Sequence, residues 1–473
     1  MILRLFGKIK KAAVGLLAVS MAAILLLCNN KAYAAGSWVS MPDELTAEGA
    51  IVIDANSGAV LWGKNINEQY CPASITKLMT ALVVLDKCSL DEEVTVTHEA
   101  VSNLESGASA VGLGEGDKLS VEELLYAMLL RSANDAANVL AYHVSGSIDA
   151  FAEEMNAKAK EIGCRNSVFR NPSGLTVPEN LTTAYDMALI GAECSKTPGF
   201  LEIERELSYH VSGDSKYPDG FTVHQEHKMI LKNTQYSDSR VIGGKTGFIK
   251  ASGNTLVTIA EDNGLRLVAV VLRDKNPQHY TDTEQLLDFG FDNFENKIIE
   301  DPIADFDAVN RLTADKIIKE GMTEIAADSE AVLTLPIGAD INDVTASYDY
   351  NLDDGAPEGA LAKLSFKYAD VNVGSIYLID DRASSIEVET KQSAEDGNFV
   401  SISPKLIIGI GAVCIVIMGI GTAVVIISGR KKRERELREQ RLLRRRMRLK
   451  ELNVSEDEFM DMVRRKNEGG DAE

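Results

Sequence analysis

Apolar residues form two pairs of short runs, and a few polar, turn-forming residues separate the runs of each pair. Residues 50–62 hold two apolar runs around Asn56-Ser57-Gly58, and residues 255–260 and 265–272 flank Glu261-Asp262-Asn263-Gly264. Apolar runs joined by Asn, Asp and Gly are typical of antiparallel hairpins. The pattern therefore predicts one hairpin near the beginning of the chain and a second about 200 residues later.

Between these hairpins the apolar positions follow the period of a helix. Helices are predicted over residues 75–85, 121–130, 135–144 and 151–162. The first of them is apolar on nearly every side, as expected for a helix that runs buried through a domain. Together the elements predict an α+β fold, in which an antiparallel sheet is flanked by helices.

A different pattern begins near residue 297, where short alternating runs predominate at 331–335, 361–368 and 371–379. Such alternation indicates a small β-rich domain over residues 297–388. The first part, residues 40–296, is then a separate domain, and the polar residues 389–405 form a linker.

The amino end reads as a secretory signal peptide over residues 1–34. Four basic residues precede an uncharged run over residues 12–27, and Ala32-Tyr33-Ala34 supplies a cleavage site after Ala34. Lipid attachment at Cys28 is disfavoured, because Leu27 before it is larger than the residue that a lipoprotein signal carries there.

Residues 406–428 contain no charge, and their length suffices to cross a hydrocarbon core of about 30 Å, so a transmembrane helix is predicted. A basic tail follows over residues 429–473, beginning with Arg430-Lys431-Lys432-Arg433. By the positive-inside rule this tail is cytoplasmic and the domains lie outside the cell membrane in a single-pass protein. The tail serves as a topology signal that contacts anionic lipid, or alternatively as a site for an unknown cytoplasmic partner.

The formal net charge of -22 is unevenly distributed. Without the basic signal and tail, the extracytoplasmic part carries about -31. So acidic a surface excludes nucleic acid as a partner.

Four cysteines fall in this part, Cys71, Cys88, Cys164 and Cys194, and they permit two disulfides in three pairings or remain free thiols. Their spacings match no zinc pattern. The pair His224 and His227 lacks a neighbouring glutamate and is more typical of a loop than of a metal site. No metal and no cofactor are expected.

Three short motifs carry the candidate chemistry. In chain order they are S-x-x-K at Ser74-Ile75-Thr76-Lys77, S-x-N at Ser132-Ala133-Asn134 and K-T-G at Lys245-Thr246-Gly247. This order is the one found in penicillin-recognising serine acyl-transferases. A second S-x-N, Ser252-Gly253-Asn254, is rejected because it would share one strand with the K-T-G and could not form a separate wall of a pocket.

The residue types of the motifs suggest their roles. Ser74, at the start of a buried helix, shares a face with Lys77, which becomes a base if burial or a second cation lowers its pKa. Ser132 can pass a proton to the leaving group, or alternatively it only caps the next helix. Asn134 is expected to bind the substrate amide, and Lys245 and Thr246 are expected to bind a carboxylate. Gly247 would allow close approach of the substrate backbone.

Around the motifs the chain resembles the serine D-alanyl-D-alanine carboxypeptidases, also called low-molecular-mass penicillin-binding proteins. The resemblance covers about residues 45–295. It is carried by P-A-S-I-T-K-L-M-T (72–80), S-A-N-D-A (132–136), F-R-N-P-S-G-L (169–175) and T-A-Y-D-M-A (183–188). The segment after 297 is similar in position and length to the second domain of that family.

This resemblance implies a fold like that of β-lactamases and DD-peptidases, and it implies cell-wall work. Ser74 would attack the bond between the two terminal D-alanines of a peptidoglycan pentapeptide, with Lys77 as base. The backbone N–H groups of Ser74 and Phe248 would form the oxyanion hole. Penicillin, which mimics the dipeptide, would acylate Ser74.

The sequence departs from the family pattern at Ala133, where glycine is usual, and in its full membrane span, where many relatives have an amphipathic helix.

Two other functions remain open. A β-lactamase of the same fold would need a general base for fast deacylation, and no E-x-x-L-N segment lies between the second and third motifs. An inactive scaffold would not need all of the motif residues. The sequence does not distinguish vegetative from spore wall, nor the preferred third residue of the stem peptide, nor the oligomeric state.

Overall fold

The helices and strands are those of a computed structural model, which describes residues 37–41, 44–102, 104–319, 325–352 and 355–380. In chain order the strands are β1 (Gly49–Asp54), β2 (Val60–Lys64), β3 (Glu93–Thr95), β4 (Lys118–Ser120), β5 (Ser208–Val211), β6 (Phe221–His224), β7 (Val241–Ile249), β8 (Gly253–Asp262), β9 (Leu265–Asp274), β10 (Phe294–Ile299), β11 (Ile325–Ala327), β12 (Ala331–Pro336), β13 (Thr345–Asp349), β14 (Ala360–Tyr368) and β15 (Val371–Asp380). The helices are α1 (Lys77–Lys87), α2 (His98–Ser102), α3 (Val121–Leu130), α4 (Asn134–Ser145), α5 (Ile148–Ile162), α6 (Ala184–Lys196), α7 (Phe200–Glu204), α8 (Gln278–Asn293), α9 (Pro302–Asp305) and α10 (Ala308–Ala314), with 3-10 turns at Ala73–Thr76 and Ile341–Asp343.

A five-stranded antiparallel sheet in the order β2-β1-β9-β8-β7 forms the centre of the structure. Side chains of β1 alternate between its two faces: Ile51 and Ile53 pack into one hydrophobic core, and Ala50 and Val52 pack into another. Helices α1, α3, α4, α5 and α6 contribute to the first core, and α8 covers the opposite face. The predicted α+β fold with an antiparallel sheet flanked by helices is confirmed.

Both predicted hairpins are present as β1–β2 and β8–β9. In the second turn, Asn263 and Gly264 have φ values of 50° and 85°, the left-handed pair that a tight two-residue hairpin requires. The four predicted helices correspond to α1, α3, α4 and α5. As predicted from its apolar character, α1 is buried over most of its length.

The three strands predicted after residue 297 are β12, β14 and β15, and the last two belong to a sheet of order β11-β15-β14-β13. Strand β10 runs across the predicted boundary near 297 and pairs with β12. Its first residue, Phe294, packs in the core behind α8, and its last, Ile299, packs in a third core with the sheet of β13–β15. The division into domains at 40–296 and 297–388 stays a prediction.

In the described part of the chain, no helix combines the length and the apolar character needed to cross a membrane. The predicted signal peptide (1–34), linker (389–405), transmembrane helix (406–428) and tail (429–473) lie outside the described residues.

Candidate active site

The predicted nucleophile, Ser74, lies in the 3-10 turn immediately before α1. Ala73 has a φ of 53°, a left-handed conformation that costs a non-glycine residue about 1–3 kcal/mol. The turn is held against the sheet, because Thr255 Oγ1 on β8 donates a hydrogen bond of 2.8 Å to the carbonyl oxygen of Pro72. Ser74 stays partly exposed while Ala73 and Ile75 on either side are buried. The bend at Ala73 therefore leaves the hydroxyl of the next residue, Ser74, accessible at the start of a buried helix.

Lys77 is the first residue of α1, and its side chain is completely buried. Its Nζ donates hydrogen bonds to Ser74 Oγ at 3.0 Å, to Asn134 Oδ1 at 2.7 Å and to the carbonyl oxygen of Ser173 at 2.8 Å. Burial lowers the pKa of Lys77 well below its usual value, and the positive charge of Lys245 lowers it further. The structure thus brings Ser74, Lys77 and Asn134 into direct contact.

The S-x-N motif lies in the bend between α3 and α4. Ser132 has a φ of 59° and is 7% exposed, and its hydroxyl forms no hydrogen bond with any residue that the structure describes. Helix α4 begins at Asn134 after Ala133, without a side-chain cap, so the alternative that Ser132 caps this helix is wrong. Asn134 Nδ2 donates to the carbonyl oxygen of Ser109 at 2.8 Å, which orients its Oδ1 toward Lys77.

A loop outside the three motifs completes the surroundings of Lys77. Besides the carbonyl group of Ser173, the carbonyl oxygen of Pro172 accepts a hydrogen bond of 2.7 Å from Thr80 Oγ1 on α1. Gly174, with a φ of 78°, lies so close to the nucleophile turn that a Cβ there would be 1.8 Å from the carbonyl oxygen of Ala73. Sequence reasoning missed this role, because Asn171-Pro172-Ser173-Gly174 indicates a turn but not what the turn contacts.

The K-T-G motif lies on β7, beside the nucleophile turn. Thr246, Gly247 and Phe248 line the cleft, whereas Lys245 is 2% exposed and buried behind it. A Cβ at Gly247 would lie 2.9 Å from the backbone nitrogen of Ser74 and 2.5 Å from Thr255 Oγ1. In the structure, Gly247 therefore makes its close approach to the turn that carries Ser74. The sequence had instead suggested a close approach to the substrate.

Two buried titratable groups flank Lys245, and the sequence assigned neither of them to the site. Glu204, at the end of α7, accepts a hydrogen bond of 3.3 Å from the backbone nitrogen of Gly244, and His227 Nε2 hydrogen-bonds Thr258 Oγ1 at 3.0 Å. Glu204 Oε1 and His227 Nδ1 have no hydrogen-bond partner among the described residues. Burial raises the pKa of Glu204 to about 7 and lowers that of His227 to about 3.

Burial also lowers the pKa of Lys245, and the charges of Glu226 and Glu204 oppose this effect. Glu226 lies at the cleft and forms an ion pair with Arg131, at 2.5 Å from Nη1 to Oε1. Only the tertiary structure reveals these acidic groups, since Glu204 and Glu226 belong to no motif and lie some 20 to 40 residues before the K-T-G.

The motifs meet at a cleft of about 590 Å³, a size typical of small-molecule sites. Residues of all three motifs line it: Ser74, Ser132, Asn134, Thr246, Gly247 and Phe248. Charged residues stand around the same cleft, namely Glu105, Arg131, Glu226 and Lys250. The arrangement places a serine hydroxyl beside a buried amine, in a cleft that is bordered by charged side chains.

The rejected S-x-N has a structural role. Ser252 lies in the turn between β7 and β8, and its Oγ accepts from the backbone nitrogen of Ile249 at 3.0 Å and donates to the carbonyl oxygen of Gly253 at 2.7 Å. The prediction that this triplet shares a strand with the K-T-G is wrong, because Asn254 lies on β8, opposite Phe248. Both strands still belong to one hairpin.

The four described cysteines are all free. His224 is exposed at the end of β6, while His227 is buried against β8, and the structure does not bring the two into a common cluster of metal ligands.

Comparison with known proteins agrees with this geometry. The family model of the D-alanyl-D-alanine carboxypeptidases matches residues 36–276, about half of the chain. The chain belongs to this family. It is therefore a hydrolase, and its three motifs lie within the matched residues.

Among the relatives of this carboxypeptidase, D-alanyl-D-alanine carboxypeptidase DacF of Bacillus subtilis is 30% identical over 314 residues, which cover 63% of this chain and 75% of that protein. DacC of Escherichia coli is 32% identical over 344 residues, covering 69% and 80%. The crystal structure of penicillin binding protein 5 from Haemophilus influenzae superposes with a TM-score of 0.55 at 25% identity, covering 72% of this chain and 98% of that one. Penicillin binding protein 6B from Escherichia coli gives a TM-score of 0.53 at 26% identity, covering 72% and 97%.

Proposed function

We propose that this protein is a membrane-anchored serine D-alanyl-D-alanine carboxypeptidase, which removes the terminal D-alanine from peptidoglycan stem peptides through an acyl-enzyme on Ser74. The observation that carries the proposal is the position of Lys77 Nζ, 3.0 Å from Ser74 Oγ and completely buried. A serine hydroxyl is a weak nucleophile and needs such a base.

The other hydrogen-bond partners of Lys77 determine the direction in which its lone pair points. A neutral amine has two N–H groups and one lone pair, and the oxygens of Asn134 and of the Ser173 carbonyl can only accept hydrogen bonds. When Nζ is deprotonated, its two N–H groups therefore stay on these oxygens, and its lone pair faces the hydroxyl of Ser74. Lys77 can then take the proton as Oγ attacks the peptide carbonyl carbon.

The remaining motif residues serve the rest of the reaction. Ser132, whose hydroxyl is free of other described partners, passes the proton from Lys77 to the departing amino group of D-alanine. The backbone N–H groups of Ser74 and Phe248 stabilise the oxyanion, a contribution of about 3–4 kcal/mol. Thr246 offers its hydroxyl to the terminal carboxylate in the cleft, and Lys245 attracts that carboxylate from behind. Asn134 retains one N–H for the substrate amide.

Water then hydrolyses the acyl-enzyme and releases the shortened stem peptide. Penicillin would enter the same cleft, form the same ester with Ser74 and leave slowly. The reaction needs no cofactor.

The placement in the cell rests on the sequence. The signal peptide, the uncharged segment 406–428 and the basic tail support a single-pass protein of the cell membrane, with the catalytic and β-rich domains outside and the carboxyl end in the cytoplasm. Membrane lipid is then a direct partner of the span.

The proposal is tested by incubating the purified full-length protein with a peptide that ends in D-Ala-D-Ala and measuring released D-alanine over time. A parallel sample receives a fluorescent penicillin. We expect both D-alanine release and covalent labelling in the wild type, and neither in Ser74→Ala.

Ser106→Ala is the matched control, because Ser106 also lines the cleft, is exposed and contacts none of the motif residues through a hydrogen bond. It should retain both signals. Rapid clearance of nitrocefin without D-alanine release would instead identify a β-lactamase. Labelling that persists in Ser74→Ala would move the nucleophile elsewhere.

A further inference from the structure

Three metal-ligating side chains lie together on the surface, away from the active-site cleft. Cys88 follows the last residue of α1, Glu92 lies four residues further on, and His143 belongs to the last turn of α4. One donor atom from each lies within 4.8 Å of the others, and Nε2 of His143 is 2.9 Å from Oε1 of Glu92. Among the described residues, no other group of three or more histidine, cysteine and acidic side chains is arranged in this way.

The three donors form a chemically selective set. Thiolate sulfur, imidazole nitrogen and carboxylate oxygen together are ligands of Zn²⁺, with bond lengths of about 2.0–2.3 Å. Donors at these lengths around one tetrahedral ion lie about 3.3–3.8 Å apart. All the present separations are at most 4.8 Å, so donor atoms would have to move by no more than about 1.5 Å to reach that range.

The backbone around these residues is already fixed. The nitrogen of Cys88 donates to the carbonyl oxygen of Val84 at 2.9 Å, and the carbonyl oxygen of Glu92 accepts from the nitrogen of Val121 at 2.9 Å. His143 is held by its helix. The side chains nevertheless remain reachable from solvent, at 45% exposure for Glu92 and 22% for His143, with Cys88 half-buried.

We propose that Cys88, Glu92 and His143 bind one divalent transition-metal ion of the Zn²⁺ class, with water as the fourth ligand. On binding, the thiol of Cys88 gives its proton to solvent and the sulfur bonds to the metal. Because a thiol must lose its proton to become a metal ligand, metal uptake should release a proton.

Such an ion would connect the carboxyl ends of α1 and α4. Lys77 and Asn134 lie at the opposite ends of these helices, about 14–17 Å away at 1.5 Å rise per residue. The ion is therefore too distant to take part in the reaction. Its role is structural, because it would join the two packed helices that hold the catalytic lysine and its asparagine partner.

Cobalt provides a direct test, since Co²⁺ takes zinc sites and absorbs light when it is bound to thiolate. The metal-free full-length protein is titrated with CoCl₂ in the absence of substrate. We expect a near-ultraviolet thiolate-to-cobalt band that saturates at one ion per chain and disappears when ZnCl₂ displaces the cobalt. Cys88→Ser should lack this band, and His143→Asn should bind at least about tenfold more weakly.

Cys71→Ser is the matched control, because Cys71 is equally a half-buried free thiol, and it should keep the band. Absence of the band in the wild type, or its persistence in Cys88→Ser, overturns the proposal and leaves His143 and Glu92 as a hydrogen-bonded pair beside a thiol.

A second measurement guards against variants that fold poorly. Labelling with fluorescent penicillin identifies correctly folded Cys88→Ser and His143→Asn protein. In folded samples, ZnCl₂ should raise the thermal midpoint of the wild type and of Cys71→Ser only. An equal rise in all variants would place the ion elsewhere and refute the assignment.

Discussion

The site contains two buried lysines in contrasting surroundings. Lys77 is held by three neutral oxygens, and after burial itself the largest influence on its pKa is the positive charge of Lys245, which lowers it. Lys245 donates a hydrogen bond of 3.2 Å to the carbonyl oxygen of Thr246. After burial, which lowers the pKa of Lys245, the largest influences on this pKa are Glu226 and Glu204, and both oppose the lowering. The pKa of both lysines is lowered, but that of Lys77 is lowered more strongly, because a cation adds to the effect of burial there while acidic groups oppose it at Lys245.

This difference shows how one fold assigns two roles to lysine. Burial alone would neutralise both side chains, since it disfavours the charged form of either. Glu226 at the cleft and Glu204 beside β7 oppose that effect for Lys245, so that its pKa is lowered less than that of Lys77. Near Lys77, the largest influence on the pKa after burial is the cation Lys245, which lowers this pKa further. A low pKa is what a lysine needs to act as a base.

The sharpest way to break this comparison is to replace each lysine by arginine, which stays charged. Lys77→Arg should reduce acylation by penicillin about 10³-fold, because a guanidinium cannot accept the proton of Ser74. Lys245→Arg keeps the charge and should lose only about tenfold. Rates of labelling by fluorescent penicillin measure both effects.

Circular dichroism and the thermal midpoint of each variant serve as controls for folding. If folded Lys77→Arg and Lys245→Arg lose activity to the same extent, the two lysines do not differ in the way that their surroundings suggest.

A smaller effect is expected where β7 meets the nucleophile turn. In Gly247→Ala the new methyl group would lie 2.9 Å from the Ser74 nitrogen, so the turn and the strand must separate. A misplacement of this kind should lower kcat/KM for the D-Ala-D-Ala peptide about 10²-fold.

Gly243→Ala, on the same strand, is the matched control. Its Cβ would meet side-chain atoms of Leu201 and Glu204 at 3.2 and 3.3 Å, and these atoms can shift. Equal losses in the two variants would show that β7 tolerates no side chain at either position, and that the contact with Ser74 is not special.

The smallest effect concerns the charge behind Lys245. Glu204→Gln removes one of the two groups that raise the pKa of Lys245, so this lysine should lose its proton at lower pH. The KM for the peptide should then begin to rise at lower pH than in the wild type, by up to about tenfold at alkaline pH. The pH profile of KM measures this shift, with exposed Glu206→Gln as the control.

The same variant has a signature in stability. The pKa of Glu204 is raised from 4.5 to about 7, so the folded protein retains this proton at pH values where the unfolded chain has released it. Stability from this group is therefore fully present below about pH 4.5 and is lost as the pH rises through about 7, by up to about 3 kcal/mol. Urea unfolding at both ends of this range should show that loss in the wild type and its absence in Glu204→Gln. If the pH dependence of stability is the same in Glu204→Gln as in the wild type, the pKa of Glu204 is not raised by burial.

Local patterns in the sequence predicted much of the architecture. The hairpins β1–β2 and β8–β9, the helices α1, α3, α4 and α5 and the strands β12, β14 and β15 all follow from periodicity and turn residues. The position of Ser74 before a buried helix, with Lys77 on the same face, follows from their spacing. These features depend on contacts between residues that are near in sequence or on the same element.

What the sequence determined by itself is therefore the type of fold, the family and the choice of residues that are predicted to carry the reaction. The tertiary structure alone decided what surrounds them: the carbonyl of Ser173 beside Lys77, the turn against Gly247, and Glu204 and Glu226 near Lys245. The physical reason is that burial and charge depend on all neighbours in space, many of them far apart in the chain and outside any motif. Spacing selects which side chains can lie together, and the packed environment determines how strongly the pKa of each of the two lysines is lowered.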